Sequence, residues 1–180
     1  MRKEFRELAT VDEALDVVEE LGIGEKIEEV ALADANSRVV AKSLESPIDV
    51  PGFDRSKMDG YAVRAEDTYE AGETNPVHLE IADKVRTGTE PDVKVEEGQA
   101  VQISTGAVIP QGADAVVKVE DTDDDDDDNK SDEKIKIYKP VAPGDNVMPA
   151  GYDIPEGERL VDEGTRLTPR KIGLLSAAGI

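Results

Sequence analysis

Ser46-Pro47-Ile48-Asp49-Val50-Pro51-Gly52-Phe53-Asp54-Arg55-Ser56-Lys57-Met58-Asp59-Gly60-Tyr61-Ala62-Val63-Arg64 is the stretch from which the rest of the chain is read. Pro47 and Pro51 push the residues before them into extended or turn backbone. Asp59-Gly60 then predicts a bend whose glycine takes positive φ, and Tyr61 to Arg64 alternates like a strand. The segment is thus a shaped loop feeding a strand. It gathers Asp49, Asp54, Arg55, Ser56 and Asp59, side chains able to bind cations or donate to anions, into one irregular stretch of the kind that carries function.

Upstream, Thr10-Val11-Asp12-Glu13 reads as a capping box opening a helix. Val11, Ala14, Leu15, Val18 and Leu21 recur at helical spacing, and Gly22 and Gly24 supply residues to stop it. Ile27 to Leu32 predicts a short strand, and Ala33 to Leu44 a short helix. Downstream, Tyr61–Glu66, Val77–Ala82, Gln99–Ser104, Ala115–Glu120 and Lys134–Lys139 are Val- and Ile-rich runs separated by turn residues, the pattern of a small β domain. Asp123 to Asp128 is a run of aspartates that cannot pack and predicts a solvated hairpin loop between the last two strands. Thr168-Pro169 sets cap and proline in the favoured order for a helix over Pro169 to Ala178. The simplest organisation is a β-rich α+β chain in which residues 47–140 form a β domain inserted between 1–46 and 141–180, the two ends making one further unit.

Composition narrows the function classes. Aromatics are 3% of residues, so the core must be built from Val, Ile, Leu and Ala, and a rival reading as a β-rich carbohydrate- or ligand-binding domain with aromatic platforms is poorly supported. Forty-two acidic against twenty-one basic residues give a net charge of −21, which argues against nucleic acid or anionic membrane as partners. The same acidity predicts a fold suited to high salt, where self-repulsion is screened; twelve lysines against nine arginines is less lysine-poor than that setting would favour. The absence of cysteine excludes disulfides, thiolate metal sites and thiol nucleophiles. No apolar run approaches 18 residues, and Met1-Arg2-Lys3-Glu4-Phe5-Arg6-Glu7 lacks a signal-peptide core, so a soluble cytoplasmic protein is expected.

Two readings stand for each candidate residue. Asp59, one residue before a glycine, is either an Asx-turn carboxylate or a functional one. Ser104-Thr105-Gly106 is either an ordinary strand-to-turn transition or a concavity in which a hydroxyl and successive amides receive an anion. Asp54, Arg55 and Ser56 read as a loop that satisfies itself, Asp54 to backbone and Arg55 to solvent. His78 lies in a strand pattern with no second ligand in view and reads as surface or packing. The aspartate run lacks the ligand spacing and central glycine of a calcium loop.

Val50-Pro51-Gly52-Phe53-Asp54-x-Ser56-x-Met58-Asp59-Gly60-Tyr61-Ala62-Val63-Arg64 resembles the signature of the molybdopterin molybdenumtransferase (molybdenum insertase) family, which includes the E domain of gephyrin. Ile103 to Val117 resembles the family's second motif. Gly151-Tyr152-Asp153-Ile154 through Gly164-Thr165-Arg166-Leu167-Thr168-Pro169 resembles its third. Three ordered motifs span most of the 180 residues. The resemblance implies an elongated, discontinuous linking domain with an inserted β domain. It also implies that the chain is the first two domains of a longer protein, without the family's α/β pterin-binding domain and C-terminal β-barrel.

By resemblance, the whole enzyme is a homodimer that takes adenylylated molybdopterin and molybdate as substrates, uses Mg²⁺ and releases AMP. The molybdopterin adenylyltransferase is a further expected partner. Asp59 is implied as the functional and Mg²⁺-binding carboxylate, with Thr105 as the second catalytic residue. Ser56, Ser104, Gly106 and Asp153 are implied at the substrate side, although Asp153 read by itself is structural. Five residues before Asp153 the family often has an arginine where this chain has Met148, so either Arg55 or a basic residue of the domains outside the chain substitutes for it, or the correspondence shifts across Pro149. In the family the turn near Asn36-Ser37-Arg38 usually carries a glycine, which is absent here. The rival within the family is a non-catalytic dimerisation or scaffolding module.

Overall fold

A computed structural model describes residues 9–21, 26–124 and 134–180. Gly22 and Gly24, the first residues of the chain and most of the aspartate run lie outside the described residues.

Helix α1 (Val11–Glu20) starts where the sequence predicts. The Thr10 hydroxyl accepts from the Glu13 amide at 3.2 Å, and the Thr10 amide donates to Glu13 Oε2 at 2.7 Å. It buries none of its residues. The strand predicted over Ile27 to Leu32 does not form. Nor does the helix over Ala33 to Leu44, where a single 3₁₀ turn, Leu32–Asp34, is followed by β1 (Leu44–Glu45). Ser37 takes φ +68°, the left-handed conformation that ends a helix and for which glycine is the usual residue.

Beyond Ser37 the backbone is taken up by the far end of the chain. The Val40 amide donates to Thr165 O at 3.0 Å, the Gly164 amide to Val40 O at 2.8 Å and the Val50 amide to Ile154 O at 2.7 Å. Strand β1 pairs antiparallel with the strand Arg159–Val161. Ala35, Val40, Val161, Leu167 and Leu175 form a core there, closed by a second helix, Pro169–Ala177, whose Thr168 hydroxyl caps it as predicted.

After β1 the elements are β2 (Arg55–Ser56), β3 (Gly60–Val63), β4 (Val77–Val85), β5 (Gln99–Ile103), β6 (Ala115–Lys118), β7 (Thr122–Asp124), β8 (Lys134–Ile137), β9 (Val147–Met148), β10 (Arg159–Val161) and α2 (Pro169–Ala177). Six of them form one sheet in the order β6-β3-β5-β4-β8-β7, with β4 and β5 parallel and all other neighbours antiparallel. Both faces are covered. Tyr61, Val63, Ala100, Ala115 and Val117 belong to one core, and Ala62, Val101, Ile103 and Val116 to the other. That two-sided burial is why these strands read as continuous apolar runs.

The five strands predicted for the β domain are all present, with shifted ends. The first stops at Val63, because the Asp114 carboxylate takes the Ala65 amide at 2.7 Å and a 3₁₀ turn, Ala65–Thr68, follows. The fourth stops at Lys118 before another such turn, Val119–Asp121. Asp123 was expected in a loop but lies in β7 opposite Lys136, an opposite-charge pair that favours the strand. His78 is exposed on β4, also opposite Lys136. No helix among the described residues is long and apolar enough to cross a membrane.

Candidate functional site

The bend at Asp54 to Asp59 is laced to the loop after β5 by backbone bonds in sequence. The Ile109 amide donates to Asp54 O at 2.9 Å, the Ser56 amide to Ala107 O at 2.9 Å and the Gly106 amide to Ser56 O at 2.8 Å. Beyond them the Thr105 amide donates to Asp59 Oδ1 at 2.7 Å and the Thr105 hydroxyl to the same oxygen at 3.0 Å. Asp59 and Thr105 are therefore partners in space, though forty-six residues apart in sequence.

Both side chains are exposed. The Thr105 amide, and after it the hydroxyl, hold the Asp59 carboxyl below the usual carboxylate range by favouring its charged form. Asp59 Oδ2 takes no part in these bonds. Next to the pair opens a recess of about 240 Å³, lined among others by Asp59, Tyr61, Lys84, Gln102, Ser104 and Val119.

Gly60 does not have the positive φ expected of it; it begins β3 in ordinary strand conformation. Its glycine is required for another reason: a Cβ there would stand 1.9 Å from Val117 O on β6. The left-handed glycine of the site is Gly106, at φ +80°, third residue of a turn in which the Ala107 amide donates to Ser104 O at 3.0 Å.

The concavity of successive amides expected at Ser104-Thr105-Gly106 is not open. The Ser104 amide donates to Val85 O, that of Thr105 to Asp59 and that of Gly106 to Ser56 O. Ser56 is only 2% exposed. Its hydroxyl donates to Met58 O at 2.5 Å and accepts from the Met58 amide at 3.2 Å, so it shapes the bend from inside.

The third motif is joined to the first through β2 and β9. Asp54 Oδ1 accepts from the Ala150 amide and Asp49 Oδ1 from the Glu156 amide, both at 2.8 Å. These carboxylates satisfy backbone, as expected of Asp54. Gly151, at φ +69°, leaves room for Asp49: a Cβ there would lie 2.6 Å from Asp49 Oδ1. Arg55 does not extend to solvent as the sequence suggested. Its Nε and Nη2 donate to Met148 Sδ at 3.1 and 3.0 Å, and Nη2 meets Asp153 Oδ2 at 3.4 Å. Strand register sets Arg55 opposite Met148, which puts the guanidinium beside the side chain that stands where the family often has its arginine.

Sequence reading did not find Lys84 or Gln102. Neither belongs to a motif, and only the pairing of β3, β5 and β4 brings them beside Asp59. A larger apolar groove, about 790 Å³, lies at the other end of the chain between the 26–44 segment and α2, among residues such as Ile27, Val39 and Leu175, none of them a predicted site residue.

Comparison with known proteins sets these motifs in context. A family model described as the MoeA N-terminal region (domain I and II) matches residues 9–179. The molybdopterin molybdenumtransferase of Bacillus subtilis (strain 168) is 41% identical over 169 residues, which is 94% of this chain and 39% of that protein. The molybdopterin molybdenumtransferase of Synechococcus elongatus is 36% identical over 155 residues, 86% of this chain and 37% of that one. The crystal structure of a molybdopterin biosynthesis MoeA protein from Pyrococcus horikosii matches with a TM-score of 0.86 at 45% identity, covering 97% of this chain and 43% of that one. The chain thus spans about two-fifths of the length of these relatives.

Proposed function

Because the chain belongs to the MoeA N-terminal family, we propose that it forms the N-terminal part of a molybdenum insertase, which transfers molybdate onto adenylylated molybdopterin with release of AMP. In this reading a pterin-holding α/β domain and a β-barrel domain lie outside the chain. Asp59 and Thr105 then line one wall of a cleft completed by those domains across a cytoplasmic homodimer, which receives its substrate from the molybdopterin adenylyltransferase.

The observation that carries the reading is the Asp59 carboxylate: exposed, ionised and fixed in direction by two donors from one residue of the second motif. Asp49 and Asp54 also accept amides from distant segments, but of the three carboxylates it is Asp59 that borders the recess. Thr105 acts by orienting Asp59, and Gly106 by giving the turn that delivers Thr105. Ser56 holds the bend in place.

Among the described residues no group of three or more His, Cys, Asp or Glu side chains could enclose a metal ion. Mg²⁺ does not need one, since it takes one or two carboxylates together with water and substrate phosphate oxygens. Asp59, with Oδ2 outside the Thr105 bonds, fits as that single carboxylate. Bound there, Mg²⁺ would supply charge neutralisation at the phosphate of the adenylate. Arg55 is the cation that meets Asp153 of the third motif, whose carboxylate helps hold the guanidinium in place.

In the whole enzyme, Asp59→Asn is expected to lower molybdenum insertion by roughly 100-fold or more while leaving the circular dichroism spectrum unchanged. Insertion at the wild-type rate would refute the role. The chain alone, lacking most of the cleft, should not turn over.

One observation favours the scaffolding alternative: Val11, Leu15 and Val18 of α1 are all more than half exposed, an apolar stripe available for assembly. Restoration of molybdoenzyme activity by the full-length protein in a strain lacking the insertase would leave scaffolding at most a secondary role.

A further inference from the structure

We infer that Lys84 is the anion-contacting residue of the Asp59 recess, its ammonium receiving a phosphate-type oxyanion together with the Ser104 hydroxyl and the Gln102 amide; the inference rests on the reading just given. The starting observation is a break in the β4 ladder. Ile81 pairs with Ala100 but Asp83 pairs with Val101, leaving Ala82 as an extra residue. Because side chains alternate along a strand, one extra residue reverses which face the following ones occupy.

Leu79 and Ile81 pack in the core that holds Tyr61, whereas Val85 packs in the opposite core with Val101 and Ile103. In an unbroken strand Val85 would share a face with Leu79, and Lys84 would point away from Tyr61. With the bulge, Tyr61, Gln102 and Lys84 stand in register across three adjacent strands. All three reach the recess beside Asp59 and Ser104.

The charge of the site makes the consequence specific. Among the described residues the Lys84 ammonium makes no ion pair, in a chain with a net charge of −21 where carboxylates are abundant. The loop amides that could have received an anion are engaged within the protein. What the recess offers an oxyanion is the Lys84 ammonium, the Ser104 hydroxyl and the Gln102 side-chain amide, with Tyr61 lining it as well. Asp59 would repel that oxyanion unless its charge were offset, which is the circumstance in which a lysine two strands away is useful.

The test is titration of the 180-residue chain with AMP, inorganic phosphate, molybdate and adenosine at fixed ionic strength, with and without Mg²⁺, followed by backbone amide shifts. AMP, phosphate or molybdate should shift the Ser104, Gln102 and Lys84 resonances saturably. The anion that does so at the lowest concentration identifies whether the site takes a phosphoryl group or an oxometalate. Lys84→Gln should weaken that binding roughly tenfold, the scale of one charge-assisted hydrogen bond. Lys84→Arg should restore it to within about threefold, and adenosine should be indifferent to both changes.

Absence of saturable shifts with every anion, or equal affinity of wild type and Lys84→Gln, overturns the inference. Lys84 is exposed, and unchanged thermal unfolding of both variants verifies that the fold is intact. These outcomes are separate from the Asp59→Asn assay in the whole enzyme, which can succeed while Lys84 fails and can fail while Lys84 succeeds.

Discussion

At the scale of single residues the site turns on how one carboxylate is held. Asp59 has its pKa lowered first by the Thr105 amide and then by the Thr105 hydroxyl. Thr105→Ala removes only the second, so the Asp59 titration midpoint is expected to rise part of the way toward the ordinary value of about 3.9. The sign follows from the direction of the shift. A depressed native pKa gives stability that is present above the ordinary carboxylate range and is lost as pH falls through the lowered midpoint. Carboxyl carbon shifts measured against pH would check this, and a midpoint unmoved by the substitution would leave the hydroxyl without a part.

Asp153 calls for a different measurement. Its pairing with Arg55 at 3.4 Å is between groups that are 55% and 34% exposed, and such pairs contribute about 0–1 kcal/mol. Asp153→Asn should therefore cost less than about 1 kcal/mol in denaturant unfolding. A marked loss of activity in that variant would then report on the site rather than on folding.

At the scale of elements, close approach decides what the sheet tolerates. Gly60 begins the strand that lies between β5 and β6, and any Cβ there meets Val117 O at 1.9 Å. Gly60→Ala must part β3 from β6, a rigid backbone clash beyond the 1–3 kcal/mol of ordinary overpacking, so a loss of about 3 kcal/mol or more is expected in chemical denaturation. Since Asp59 precedes it, the site should go with the strand. Helix α1 is the opposite case. Its cap is complete, and removing it by Thr10→Ala should cost about 1 kcal/mol of local helix stability. Because the helix buries nothing, amide exchange over Val11–Glu20 should quicken while the unfolding midpoint of the sheet stays where it was.

For the molecule as a whole, charge is the dominant setting. A net charge of −21 on 180 residues makes self-repulsion large in dilute buffer. Raising ionic strength from about 0.01 M to about 1 M shortens the screening length from about 30 Å to about 3 Å, so the melting temperature is expected to climb over that range. Equal melting temperatures at both ends would sink the expectation of a fold suited to salt. The two unequal recesses also belong to this scale. The larger is mostly apolar and lies between residues 26–44 and α2, while the smaller holds Asp59, so volume does not mark the candidate site.

The sequence by itself determined the local features: the capped starts of both helices, the five Val- and Ile-rich strands, and the three motifs that carry family membership. Each is written in neighbouring residues, through capping geometry or apolar patterning, and needs no distant partner to be read. Between residues 37 and 44 the same reasoning failed, because backbone that looked able to coil locally was instead claimed by residues 161 to 167. Tertiary structure alone decided why Gly60 is glycine, where the Arg55 guanidinium rests and how the loop amides are occupied. It also decided which face of β4 carries Lys84. Those outcomes depend on which strands become neighbours and in what register, and one bulged residue is enough to reverse them.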